Sequence, residues 1–220
     1  MLNYIPAIDI KNNVIVTGIK GNRSLYKSIS KKYKLNHDLI KFLEHIFKKK
    51  RYKHIYIADL NAIHNQSKVN FSSICKALKK FPNTTFIIDS GSKKFSDLRK
   101  YAMYKNYIPI LSSESYQNYS ILFKRKYTRF IFSVDKKKNI ILGKKRKYYK
   151  NIRCLSLIIM NIDRIGSNKG IEIEYLNKVK NSNNYNNFIV AGGFKKSDET
   201  VLKKLNIGEV ICLSEVLRNL

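Results

Sequence analysis

Two carboxylates stand where this chain could do acid–base chemistry. Asp9 ends the apolar run Tyr4-Ile-Pro-Ala-Ile, and Asp135 ends Phe130-Ile-Phe-Ser-Val. A buried strand that stops on a carboxylate is hard to explain by packing, because an unpaired buried charge is costly. Carboxylates gathered at one end of a sheet suit proton transfer to and from a bound substrate. Asp59, Asp89 and Asn161 also end apolar runs. For each the plainer alternative is a helix cap or an ion pair with one of the many lysines.

A second kind of chemistry lies in glycine and serine turns. Phe188-Ile-Val-Ala-Gly192-Gly193-Phe194 reads as a buried strand breaking on a double glycine, and Gly208-Glu-Val-Ile-Cys-Leu-Ser214 as a strand followed by a helix start. Such turns bring backbone N–H groups close to an oxyanion. The bland alternative is an ordinary strand–helix turn. The pattern recurs: Ile87-Ile-Asp-Ser-Gly91-Ser92-Lys-Lys94 matches Ile189-Val-Ala-Gly-Gly193-Phe194-Lys-Lys196 at an offset of about 102 residues. At that offset Leu111-Ser112 falls on Leu213-Ser214 and Asp59 on Asn161, while Ile8-Asp9 through Val16 matches Val134-Asp135 through Leu142 at a larger one. The expected phosphate sites are Gly192, Gly193 and Phe194 with Ser214, and Gly91 and Ser92 with Ser112 and Ser113.

Stepping along the chain, eight apolar runs alternate with amphipathic or polar segments, ending near Asp9, Asp59, Ile88, Leu111, Val134, Met160, Ala191 and Leu213. Near-continuous apolar runs are the mark of parallel strands covered on both faces. The predicted fold is a (β/α)8 TIM barrel, a single domain built from two half-barrel repeats at about residues 1–125 and 126–220. Strand C-termini then share one mouth, where such folds place their chemistry. A basic connection from Lys20 to Leu35 is long enough to be a mobile active-site loop. Asn36 is expected to cap the helix that follows, and further helices run through Phe95, Leu98 and Tyr101 and through Tyr116, Tyr119 and Leu122.

The chain has 220 residues and a formal net charge of +29 from 44 basic and 15 acidic residues. A charge of that size raises polyanions as partners. The lysines are nonetheless spread along the whole chain, and Asn, Ile and Tyr are abundant beside them, a pattern that A/T-rich codons produce. No specific nucleic-acid partner is expected. No apolar run approaches a membrane span, and Cys75, Cys154 and Cys212 lie apart in apolar contexts, so reduced thiols in a cytoplasmic protein are expected. No metal or other cofactor is implied, and oligomeric state is not legible.

In combination, Ile5-Pro-Ala-Ile-Asp9-Ile-Lys, Tyr56-Ile-Ala-Asp59-Leu, Val134-Asp135, Gly166-Ser167 with Gly170, and Ala191-Gly-Gly193 resemble the phosphoribosylformimino-AICAR ribotide isomerase of histidine biosynthesis, with its sister cyclase. The resemblance covers essentially the whole chain. It implies a half-barrel-repeat barrel that binds a doubly phosphorylated substrate, with Asp9 as the first-strand catalytic aspartate and Asp135 as its fifth-strand partner in an aldose–ketose isomerisation without metal. One departure stands out: Ile165, before Gly166-Ser167, occupies the place where the resembling isomerase has an aspartate before a Gly-Thr pair. That residue, with Gly21-Asn-Arg-Ser-Leu-Tyr26 and Tyr56 to Ile63, is closer to an isomerase-related subgroup of methanogens and C1-metabolising bacteria. Two alternatives follow, a different phospho-substrate step in one-carbon cofactor biosynthesis and a non-catalytic binder of a phosphorylated ligand or RNA.

Overall fold

The structure is a computed structural model, and it describes residues 2–22, 24–116, 129–143, 152–183 and 185–218. Eight parallel strands close on themselves: β1 (Asn3–Lys11), β4 (His54–Asp59), β5 (Thr85–Asp89), β6 (Tyr107–Ser112), β7 (Ile131–Lys137), β9 (Leu157–Asn161), β10 (Phe188–Ala191) and β11 (Glu209–Cys212), with β11 pairing back onto β1. Helices α2 (Leu39–Lys49), α4 (Phe71–Lys80), α5 (Ile173–Asn181) and α6 (Glu199–Lys204) alternate with them, completing a (β/α)8 TIM barrel. Between β5 and β6 a 3-10 turn, Phe95–Arg99, stands where a helix was expected. The expected helix after β6 lies beyond Tyr116, and with it the boundary between half-barrels, outside the described residues.

Strand alternation sorts the apolar residues into two cores. Outward residues such as Ile8, Ile57, Phe86, Leu111, Val134, Ile159 and Val210 pack against helix faces, for example Leu39, Phe42, Leu43 and Ile46 of α2. Inward residues form a separate cluster. Seven barrel strands supply it with isoleucine (Ile5, Ile87, Ile110, Ile131, Ile158, Ile189, Ile211), and β4 supplies Tyr56 and Ala58.

The chain's repetition reappears as matching hydrogen bonds. Strand β1 turns at Asn12-Asn13 into β2 (Val14–Thr17), and β7 turns at Lys138-Asn139 into β8 (Ile140–Ile141). All four turn residues have positive φ, the geometry of a tight two-residue hairpin. Asn12 N–H donates to Asn61 Oδ1 at 2.8 Å, and Lys138 N–H to Asp163 Oδ2 at 2.6 Å. Asn70 donates to Asp59 at 2.8 Å, and Asn161 donates to Glu172, with acid and amide exchanged between the two places.

The connection from Lys20 to Leu35 is not structureless. It holds β3 (Lys27–Ser28), paired with β2, and the short helix α1 (Ile29–Tyr33). Asp38, not Asn36, caps α2, accepting from Ile40 and Lys41 N–H at 3.0 Å each, while Asn36 accepts from Asp38 N–H. Among the described residues no helix is long and apolar enough to cross a membrane.

Candidate active site

The C-terminal ends of the barrel strands open into one cavity, lined by Asp9, Tyr56, Asp89, Ser112, Glu114 and Asp135 on the first five strands and their loops, and by Gly192, Gly193, Phe194, Ser214 and Asn168 on the far side. Asp9 and Asp135 sit on β1 and β7, which are diametrically opposed in the barrel order. Alternation puts both on the inward face, with Ala7 and Asp9 on one strand and Ser133 and Asp135 on the other.

Asp135 is 3% exposed and heavily bonded. Its Oδ2 accepts from Ser112 Oγ at 2.5 Å, from Glu114 N–H at 3.2 Å and from Ser113 Oγ at 3.4 Å, while Oδ1 accepts from Ser133 Oγ at 2.5 Å. Those donors favour the carboxylate, but burial outweighs them, with help from the nearby Glu114, and the acid is pushed up to about 6. A group balanced there exchanges protons near neutral pH.

Asp9 is half-buried, in a corner made by three elements. A methyl group placed at Gly18 would lie 2.6 Å from Ile165 Cγ2, 3.0 Å from Asp9 Oδ2 and 3.5 Å from the Tyr26 hydroxyl. The loop after β2 therefore docks directly on the loop after β9. Lys20 N–H donates to Ile165 O at 2.9 Å, and a methyl group at Gly166, which has positive φ, would fall 2.0 Å from Gly18 O. Ile165 stands beside Asp9 and offers it no proton. Asp163 is turned to the β7–β8 hairpin and does not line the cavity.

The expected phosphate residues divide. Gly192, Gly193, Phe194 and Ser214 come together at the cavity wall, where Ser214 Oγ donates to Asn168 Oδ1 at 2.9 Å. Both glycines have positive φ, and side chains there would strike the Asn161 and Gly170 backbones. Gly193→Asp, an obvious test of phosphate binding, would thus displace the loop as well. On the other side only Ser112 lines the cavity; Gly91, Ser92 and Ser113 do not. Gly91 packs on the backbone of helix α3 (Leu60–Asn65), its N–H donating to Asp89 Oδ1 at 2.9 Å. Ser113 Oγ accepts from Asp135 N–H at 2.9 Å, and the buried Ser92 hydroxyl has no hydrogen-bond partner among the described residues.

Asp59 and Asn161 end their strands but face away from the mouth. Asp59 is fully buried, caps α3 through Ala62 N–H at 3.1 Å and meets Lys100 at 3.4 Å. Asn161 caps the turn Ile162–Arg164 at 3.1 Å and joins Glu172, which pairs with Lys136. In a strand that alternates faces, Asp59 follows the inward Ala58 and so points outward. The same counting finds what carboxylate positions alone did not, the inward Tyr56. Its phenol is 6% exposed and held well above its ordinary range by burial and then by Asp89, Asp9, Asp135 and Glu114, so it stays protonated. Among the described residues no three metal-ligating side chains gather at one point.

A relative 28% identical over 207 residues, covering 91% of this chain and 86% of its own length, is an uncharacterized protein of Methanocaldococcus jannaschii. The model of the histidine biosynthesis protein family matches residues 3–212, so this barrel, with its mouth carboxylates and glycine turns, belongs to the histidine biosynthesis protein family.

Proposed function

We propose that this protein is an isomerase-like enzyme, acting on a phosphorylated sugar or phosphoribosyl-type metabolite by aspartate acid–base catalysis. The observation that carries the reading is the placing of Asp9 and Asp135 on opposite strands of one cavity that Gly192, Gly193, Phe194 and Ser214 also line. A ligand spanning the mouth would present opposite faces to the two carboxylates. One would take a proton from carbon while the other gives one to oxygen, the two-group arrangement that aldose–ketose interconversion needs. Its phosphate would sit on the glycine turn and Ser214, where backbone donors favour an anion. The two halves, each with its hairpin after an aspartate-bearing strand, support a half-barrel repeat.

The side chain beside Asp9 favours a second reading within the same chemistry. With Ile165 there, ring opening of the histidine-pathway aminoaldose lacks an acid, and a different phospho-substrate, such as one from one-carbon cofactor biosynthesis, fits better.

The test is deuterium wash-in. Purified protein is incubated in D2O with a panel of aldose and ketose phosphates, and exchange at the carbon next to the carbonyl is followed by NMR. Exchange with at least one sugar phosphate, lost in both Asp9→Asn and Asp135→Asn, is expected. Exchange that persists in both variants would sink the assignment, as would none from a wild type that binds the sugars.

A further inference from the structure

We infer that the Tyr26 hydroxyl donates to the substrate's carbonyl oxygen while Asp9 takes a proton from the neighbouring carbon, so that Tyr26 is a further catalytic residue of this site. This rests on the reading above that the cavity moves protons at carbon on a sugar phosphate.

Local pairing delivers Tyr26 to the barrel mouth. Strand β3 runs antiparallel to β2, with Val16 opposite Ser28 and Thr17 opposite Lys27. Carrying that register one step further sets Gly18 across from Tyr26. The ribbon is pinned from both ends, since Thr17 Oγ1 donates to Lys27 O at 3.3 Å and Ser28 caps α1. Tyr26 is half-buried, lines the cavity, and packs with Ile165 on the inward cluster of the barrel. Gly18 has no side chain, and three elements converge on the space it leaves. Its Cβ position lies 2.6 Å from Ile165 Cγ2, 3.0 Å from Asp9 Oδ2 and 3.5 Å from the Tyr26 hydroxyl. Carboxylate and phenol therefore stand around one point, at the edge of the cavity that both line.

Removing a proton from carbon drives charge onto the carbonyl oxygen. Asp9 takes the proton, the C–H electron pair becomes a C=C bond, and the carbonyl π pair moves onto oxygen. A donor already aimed at that oxygen stabilises the charge as it develops. Of the three side chains described around Gly18, Ile165 has no proton to give, and Asp9 as the base must be without one. A phenol is a donor that ordinarily keeps its proton at neutral pH. The oxygen has two lone pairs, so a bond from Tyr26 leaves the second for the proton that Asp135 gives. A hydrogen bond that leaves its proton on the phenol aids enolisation rather than cleavage of a ring C–O bond. Tyr26 thus does not make good the acid missing at Ile165.

Deuterium wash-in with a sugar phosphate that wild type exchanges, run beside calorimetry, tests this. Tyr26→Phe should slow exchange about 10-fold or more, since losing one such donor costs up to about 10²–10³ in turnover. Its affinity for the sugar and its thermal midpoint should stay as in wild type. A second protein carries 3,5-difluorotyrosine at position 26, nearly the same shape with a phenol that ionises at lower pH. Its exchange rate relative to wild type should fall as pH rises from 6 to 9, because the substituted phenol loses the proton it must donate. The role of Tyr26 is overturned, and the aspartate reading left standing, by any of three results. They are exchange in Tyr26→Phe that matches wild type while Asp9→Asn exchanges none, a loss of affinity equal to the loss of rate, and a relative rate for the fluorinated protein that is constant across that pH range. If wild type exchanges no sugar phosphate, the isomerase reading itself fails and takes this assignment with it.

Discussion

Asp135 carries the clearest pH signature in the protein. Its folded value, raised to about 6 by burial, lies above the ordinary carboxyl value of 3.8. The stabilising contribution of its proton is therefore complete below pH 4 and is lost as pH rises through about 6. A shift of about two units corresponds to roughly 3 kcal/mol between those limits. Asp135→Asn removes that dependence, so its stability relative to wild type should improve by about that amount from pH 4 to 8 in urea melts. A constant difference would show that the serine donors, not burial, govern this acid. Ile165 makes the second residue-scale prediction. Wild type should turn over the histidine-pathway aminoaldose weakly or not at all, and Ile165→Asp should gain on the order of 10²-fold, a gain lost with Asp9→Asn. Ordinary isomerase rates from wild type would contradict this. That Asp9 and Asp135 reach the cavity was legible because each ends an apolar run, where a strand meets the barrel mouth. Asp59 looked identical by that rule, and only the alternation of strand faces separates it from them. Tyr56 was hidden because a tyrosine in an apolar run reads as core.

At the scale of elements, the chain's repetition matched Ile8-Asp9 through Val16 with Val134-Asp135 through Leu142, and the structure folds both stretches into an aspartate-bearing strand and a hairpin arm, a reversal of direction that short apolar runs do not reveal. In sequence the connection from Lys20 to Leu35 reads as a loop, because neither Lys27-Ser28 nor Ile29 to Tyr33 is long enough to show a period. Pairing to β2 and the Ser28 cap make them regular. Nor does sequence reveal that this segment docks on the loop after β9, since that contact runs through backbone at Gly18 and Gly166. Asp163 belongs to this scale. It ties the β7–β8 hairpin through Lys138 N–H, as Asn61 ties the β1–β2 hairpin. Asp163→Asn should therefore keep deuterium exchange within about twofold of wild type, while Asp163→Ala loses about 1 kcal/mol of stability. Loss of exchange in Asp163→Asn with stability unchanged would make Asp163 the missing acid.

For the whole molecule, the barrel was legible from eight apolar runs and their spacing, since parallel strands buried on both faces leave little else to form. The charge of +29 was the harder signal. Around the cavity its sign reverses, with Asp9, Asp89, Glu114 and Asp135 against Lys32 and Lys137 among the described lining residues. An excess spread over the exterior gives nonspecific attraction rather than recognition. Affinity for single-stranded RNA should fall steeply between 50 and 200 mM salt, by roughly 10³-fold or more if six or more phosphates are contacted, and should show no sequence preference in competition assays. Tight, selective binding at physiological salt would instead make RNA the partner.

That one cavity both holds a phosphate and performs the chemistry is tested most directly at Ser214, which is half-exposed and tolerates a larger side chain better than the glycines. Calorimetry with ribose 5-phosphate should give saturable one-site binding to wild type and at least a 10-fold loss in Ser214→Asp, with the thermal unfolding midpoint unchanged. Equal affinity in the two proteins, or no saturable binding by wild type, would contradict the placement of the phosphate and the function built on it.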